Sequence, residues 1–155
     1  MIRILFVCHG NICRSPMAEF VMKHMVSKRG LADEFTIASA ATSTEEIGND
    51  THRGTRERLR QAGVPFTRRA AVQLTRRNYD HYDYLIGMDS RNITNMLRII
   101  GHDRDSKVRR LLDFTQRPRD IADPWYSDNF DLTYDDIVAG CEALLEYILQ
   151  HSVQK

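Results

Sequence analysis

The sequence predicts an α/β fold, an open four-stranded parallel sheet with helices on both faces. Three observations predict it. Short apolar, β-branched runs alternate along the chain with segments of helical periodicity, the pattern of strand–helix–strand units joined by right-handed crossovers. The first run, residues 2–7, is apolar except for Arg3, as befits a strand buried on both faces. The length of 155 residues, with 42% hydrophobic and 28% charged residues, is that of one ordinary domain (1–155) with a substantial core.

The elements follow in order. After the first strand comes a polar loop, Cys8-His9-Gly10-Asn11-Ile12-Cys13-Arg14-Ser15. Ser15 is expected to cap a helix with Pro16 at its first position. Ala18, Val21, Met22, Met25 and Val26 recur at i, i+3, i+4, i+7 and i+8 and make one apolar stripe. Glu19 and Lys23 form an i,i+4 pair on the other face, and Gly30 stops the helix. Residues 35–40 read as the second strand and 41–49 as a polar loop. A helix over 51–62 is stopped by Gly63 and Pro65. Residues 69–74 make a short extended piece and 75–79 a helical turn. The third strand is 82–88, Asp89 and Ser90 open a helix through Ile99, and 107–112 is a weaker fourth strand. Residues 113–131 read as loop and hold Asp123-Pro124-Trp125-Tyr126. Thr133 to Asp136 has the spacing of a capping box. It opens a last helix to about Gln150, with Tyr134, Ile137, Val138, Cys141, Leu144, Leu145 and Leu149 in helical register.

Composition excludes several classes. A net charge of +1 gives no global field for nucleic acid. The arginines crowded between Arg53 and Arg77 read as a solvated basic face. Three cysteines do not make a disulfide scaffold, and no apolar run is long enough to span a membrane. No signal peptide is visible, so a reducing cytoplasmic setting without membrane insertion is expected.

The loop carries the chemistry. Ligands of open parallel sheets sit beyond the carboxyl ends of the strands, where Cys8 stands. A tight turn at Gly10 lets successive backbone N–H groups face inward as an anion nest, and the following helix N-terminus adds its own. Arg14 offers two parallel donors to two phosphate oxygens. The same field favours the thiolate of Cys8, and the Ser15 hydroxyl can donate to it. Thiolate attack on phosphorus expels an alkoxide or phenoxide that needs a proton, and the phosphocysteine then needs an activated water. Asp123 is the candidate for both tasks, since the loop after the fourth strand reaches the same sheet edge. Pro124 stiffens its backbone. Trp125 and Tyr126 can wall the mouth and stack on an aromatic group. This chemistry calls for no metal and no cofactor.

The run Val7-Cys8-His9-Gly10-Asn11-Ile12-Cys13-Arg14-Ser15-Pro16-Met17-Ala18-Glu19 resembles the active-site signature of the low-molecular-weight protein tyrosine phosphatases. The resemblance continues at Ser39-Ala40-Ala41-Thr42-Ser43, Glu46-Ile47-Gly48-Asn49, Met88-Asp89 and Asp123-Pro124-Trp125-Tyr126. It implies a hydrolase of protein phosphotyrosine or aryl phosphates working through a phosphocysteine intermediate; a monomer or weak dimer is expected, since Trp125 and Tyr126 can support weak self-association. It also implies that Cys8 is the nucleophile, that Arg14 binds phosphate, and that Asp123 is general acid and then base. His9, Gly10, Asn11, Ile12, Cys13 and Ser15 line the phosphate site, and Trp125 and Tyr126 the substrate cleft. Asn11, Ser15 and Ser43 brace the loop, and Cys13 can pair reversibly with Cys8 under oxidation. Cys141, on the stripe of the last helix, reads as core, and Asp89 as an N-cap.

Two positions depart from the family pattern. Glu45 stands where many members place an aromatic wall, and residues 69–74 lack the family's short His/Arg motif. Rival chemistries are weaker. Arsenate reduction needs further redox cysteines, and residues 14–140 contain none. A phosphoarginine phosphatase favours Thr where Ile12 stands. A non-catalytic phosphotyrosine-binding module would have a damaged loop or no acid.

Overall fold

A computed structural model describes residues 1–153. Four parallel strands form one sheet in the order β2-β1-β3-β4. They are β1 (Ile2–Cys8), β2 (Phe35–Ala41), β3 (Tyr84–Gly87) and β4 (Val108–Arg110). β1 pairs with β2 over its whole length, from Ile2↔Phe35 to Cys8↔Ala41, and with β3 from Ile4↔Tyr84 to Val7↔Gly87. The chain therefore leaves β1 first to one side and later to the other, so the crevice between the β1 and β3 carboxyl ends is the topological switch point.

Alternation along β1 splits the core into two layers. Ile4, Phe6 and Cys8 face the layer covered by α1 (Arg14–Lys28), α2 (Arg53–Ala62) and α6 (Phe130–Val153). Leu5 and Val7 face the opposite layer, where α3 (Asn78–His81) contributes Tyr79 and α4 (Ser90–Ile100) contributes Met96 and Ile100. The expected stripe of α1 is buried at Ala18, Val21, Met22 and Val26, with Met25 packed at its edge. Helix α1 ends in a Schellman arrangement. Gly30 adopts φ +72°, its N–H reaches the Ser27 carbonyl at 3.1 Å, and the Leu31 N–H reaches Val26 at 2.8 Å. No helix among the described residues is long and apolar enough to cross a membrane.

Several local expectations are corrected. Ser15 does not cap α1: the helix begins at Arg14 with Cys13 as N-cap, and the Ser15 hydroxyl turns to Cys8 instead. Pro16 is then the third helical residue, still among those whose N–H has no intrahelical acceptor. Glu19 does pair with Lys23, at 2.6 Å, but its carboxylate is buried rather than on a solvent face, because Ser39 donates to it from β2. Thr133 forms no capping box. Helix α6 starts earlier, at Phe130, and the Thr133 hydroxyl donates to the Ala122 carbonyl at 3.0 Å. The 113–131 segment is not all loop either, since α5 (Pro124–Ser127) makes one turn with Asp123 as its N-cap. β3 and β4 are shorter than their apolar runs, and residues Leu111–Phe114 turn into a 3₁₀ helix.

Candidate active site

The loop between β1 and α1 is shaped by where its carbonyls go. The Cys8 carbonyl accepts from the Thr42 N–H at 3.0 Å, and that of His9 from the Ser43 N–H at 3.0 Å and hydroxyl at 2.8 Å. The Asn11 carbonyl accepts from Arg69 Nη1 at 2.9 Å, Ile12 from the His52 N–H at 2.7 Å, and Cys13 from the Thr55 hydroxyl at 3.1 Å. With its acceptors engaged outward, the loop turns its N–H groups inward. Those of Asn11 and Ser15 point at Cys8 Sγ, at 3.3 and 3.4 Å. Those of Gly10, Ile12 and Cys13 have no protein acceptor among the described residues, the arrangement an anion nest requires.

One residue holds this turn in place. Asn11 sits in the left-handed region at φ +59°, where asparagine is among the few tolerated non-glycine residues. Its buried amide donates to Ser15 Oγ at 2.8 Å and Ser39 Oγ at 2.9 Å, while its side-chain oxygen accepts from the Val72 N–H at 3.1 Å and from Arg69 Nη2. The donors fix the hydroxyls. Ser39 accepts from Asn11 and so gives its proton to Glu19, at 2.6 Å. Ser15 likewise accepts from Asn11, which leaves its proton for Cys8 Sγ at 3.0 Å. Cys8 thus receives two N–H groups and one O–H at the floor of the cleft, an environment suited to a thiolate acceptor.

Arg14, only 2% exposed, is the largest fully buried side chain of the site. Its Nη1 donates to Asp89 Oδ2 at 2.7 Å and to the Ile121 carbonyl at 2.8 Å, and its Nη2 lies 3.5 Å from Asp123 Oδ2. Burial works against the cation, but Cys8, the Asp89 hydrogen bond and Asp123 outweigh it and push the Arg14 pKa up. Asp89 is the N-cap of α4, as expected, with a reciprocal capping box through Asn92. It also orients Arg14, a contact that its N-cap pattern in the sequence does not reveal. Asp123 uses Oδ1 to accept the Trp125 N–H at 3.0 Å, which leaves Oδ2 facing the Arg14 guanidinium.

The cleft above the loop is lined by Cys8, Arg14, Asp123, Trp125 and Tyr126, together with the His9, Gly10, Ile12 and Cys13 segment. Trp125 and Tyr126, which line the cleft, are 55% and 82% exposed. Glu45 and Glu46 also line the cleft, and Glu45 Oε2 lies 3.0 Å from His9 Nε2. Cys13 also reaches the cleft, but burial, then Cys8 and Asp123, push its thiol well above the ordinary value. The Asn11 side chain is buried beneath the cleft, while its backbone N–H faces Cys8 Sγ. Cys141 is fully buried against α1, 3.8 Å from the Ala18 carbonyl, and burial pushes its thiol up as well.

Arg69 and Glu19 escape a motif-based reading. Arg69 lies in a segment whose sequence departs from the family pattern. Glu19 looks like one half of an ordinary helix-surface ion pair. Only the parallel bridge that brings residues near Gln73 against Ala41, and the β2 placement of Ser39, bring them under the loop.

The fold recurs in known proteins. The chain is 41% identical over 150 residues to YfkJ of Bacillus subtilis, a low molecular weight protein-tyrosine-phosphatase, covering 96% of each chain. The crystal structure of YfkJ superposes with a TM-score of 0.94 at 40% identity, covering 97% of this chain and 96% of that one. DARP, a Drosophila arginine phosphatase, superposes at 0.85 with 28% identity, over 94% and 96% of the two chains. Residues 3–155 match the family model described as low molecular weight phosphotyrosine protein phosphatase. A match of that extent settles the assignment: the chain belongs to the low molecular weight phosphotyrosine protein phosphatase family.

Proposed function

We propose that the protein hydrolyses phosphotyrosine in proteins in two steps through a phosphocysteine at Cys8. The observation that carries the reading is the convergence on one cleft of a thiol holding three inward donors, a buried guanidinium, and a carboxylate beside it. Phosphate oxygens seat against the inward N–H groups and Arg14, where developing charge is stabilised by donors already in place. Cys8 attacks phosphorus, the S–P bond forms, and the tyrosine oxygen leaves with the proton of Asp123. Asp123, now ionised, takes a proton from water, which attacks phosphorus and releases inorganic phosphate and the Cys8 thiolate. Trp125 and Tyr126 offer aromatic faces to the departing ring, and the bulk of Ile12 in the cleft lining suits a phenyl ring better than a guanidino group.

Substrates on this reading are phosphotyrosine proteins or aryl phosphates, met in a cytoplasmic setting that keeps Cys8 reduced. Cys13 serves as a resolving thiol: when a peroxide oxidises Cys8 to the sulfenic acid, Cys13 condenses with it and water leaves. The test is a comparison of peptides bearing phosphotyrosine, phosphoserine or phosphoarginine, with wild type and Cys8→Ser. Preference for phosphotyrosine, lost in Cys8→Ser, is expected. Preference for phosphoarginine would move the protein to the activity named for DARP, and persistent turnover in Cys8→Ser would overturn the mechanism.

A further inference from the structure

The structure assigns a positioning role to Asp120 and Arg110, which clasp the loop bearing Asp123 to the helix that orients Arg14. This inference rests on Asp123 being the general acid. Asp120 Oδ1 accepts three hydrogen bonds, from the Ser90 N–H at 2.8 Å, the Ser90 hydroxyl at 3.0 Å and Arg110 Nη1 at 3.0 Å. Arg110 closes β4 and is itself held from the other side by Asp113, with Nε at 3.0 Å and Nη2 at 2.8 Å from Oδ1. Burial alone would raise the Asp120 carboxyl, but the Arg110 hydrogen bond and those of Ser90 outweigh it and hold it below the ordinary carboxylate value.

The consequence lies one residue further on. With Asp120 pinned to Ser90, the Ile121 N–H meets the Met88 carbonyl at 3.0 Å, as if extending the β3 edge. The Ile121 carbonyl is then turned to Arg14 Nη1, and two residues later Asp123 comes beside Arg14 Nη2. The N-cap of the same helix, Asp89, holds the other flank of Arg14. Guanidinium and acid are thus both registered to the first turn of α4. Asp120 itself touches neither substrate nor reacting atoms. It sets where the proton donor stands, and a displacement of about 1 Å at such a group is enough to cost up to roughly a hundredfold in rate.

The side chains of Asp120 and Arg110 are 52% and 25% exposed, so their replacement leaves the core intact. The experiment measures kcat/KM for 4-nitrophenyl phosphate, whose leaving group barely needs a proton, and for phenyl phosphate, whose leaving group does. The variants are Asp120→Ala, Asp120→Asn, Arg110→Gln and Asp123→Asn, each with thermal unfolding measured alongside. Asp120→Ala is expected to lower the phenyl-to-nitrophenyl ratio by about tenfold. Asp120→Asn keeps an acceptor for Ser90 and should restore much of the ratio. Arg110→Gln should fall between, and adding Asp120→Ala to Asp123→Asn should change the ratio no further. An unaltered ratio in both Asp120→Ala and Arg110→Gln, with the ratio lowered in Asp123→Asn, overturns the clasp while leaving the acid intact. An unaltered ratio in Asp123→Asn instead overturns the acid assignment on which the clasp rests.

Discussion

Arg69 grips Asn11 by two oxygens at once: Nη1 reaches the backbone carbonyl at 2.9 Å and Nη2 reaches the side-chain oxygen. The residue that holds the phosphate loop in its left-handed turn is thereby held from outside the loop, across 58 positions of sequence. The planar fork of arginine suits this grip, and a lysine ammonium cannot reproduce it.

Arg69→Leu is therefore expected to lower kcat/KM for aryl phosphates by about tenfold to a hundredfold, since it frees the turn that aims the N–H groups. Arg69→Lys should recover only part of the loss, because it supplies charge without the second bond. Steady-state kinetics on the two variants, with circular dichroism to confirm folding, checks both expectations.

Asn11→Ala removes four side-chain hydrogen bonds and leaves Val72 N–H, Arg69 and the two serine hydroxyls short of partners. Each buried group so stranded costs about 1–3 kcal/mol. Loss of both stability and activity is expected, read by urea unfolding and by phosphate hydrolysis. Asn11→Gly, which accepts the backbone angle but makes no bonds, should be nearly as inactive. Recovery of activity in the glycine variant would show that the angle alone matters.

Gly54 lies under an aromatic ring. A Cβ placed there would stand 2.3 Å from Phe130 Cζ. The ring of Phe130 stacks on His52 at 5.4 Å, and His52 meets Trp125 edge-on at 5.7 Å. Gly54→Ala is expected to destabilise the fold by about 1–3 kcal/mol through overpacking and to disturb the Trp125 wall. Thermal unfolding and intrinsic tryptophan fluorescence report the two effects separately.

Acid sensitivity follows from Asp120. A carboxyl held below its ordinary value of 3.8 contributes stability that is complete above that pH and lost as pH falls through the folded value. Asp120→Asn should thus lower stability by a constant amount at neutral pH, and the gap to wild type should close only below about pH 4. The effect is small because half of the carboxyl is in solvent. Unfolding midpoints across pH 3 to 7, in roughly unit steps, follow it.

The sequence displayed the residues that meet in the cleft better than their supports. Cys8, Arg14 and Asp123 stand in motifs whose residue types state their chemistry, and the strand–helix alternation was enough to bring 8 and 123 to one sheet edge. β1 and α1 were legible because their apolar periodicities are strong. What was not legible is set by pairings distant in sequence. Ser15 carries the signature of a helix cap, yet tertiary contact with Cys8 and Asn11 overrides it. Thr133 carries the same signature and is taken by Ala122. Glu19 reads as a surface charge until Ser39 is placed over it, and Arg69 and Asp89 show no function until the loop they hold is folded.

The most direct test is the site of the covalent intermediate. On the proposed mechanism, Asp123→Asn should slow attack by water while 4-nitrophenyl phosphate still delivers its phosphoryl group readily. Enzyme quenched in acid during that turnover should carry one phosphoryl group on the peptide containing Cys8, as read by mass spectrometry. Cys8→Ser should carry none and release no nitrophenol. A phosphoryl group on any other residue, or turnover that continues in Cys8→Ser, would contradict the mechanism.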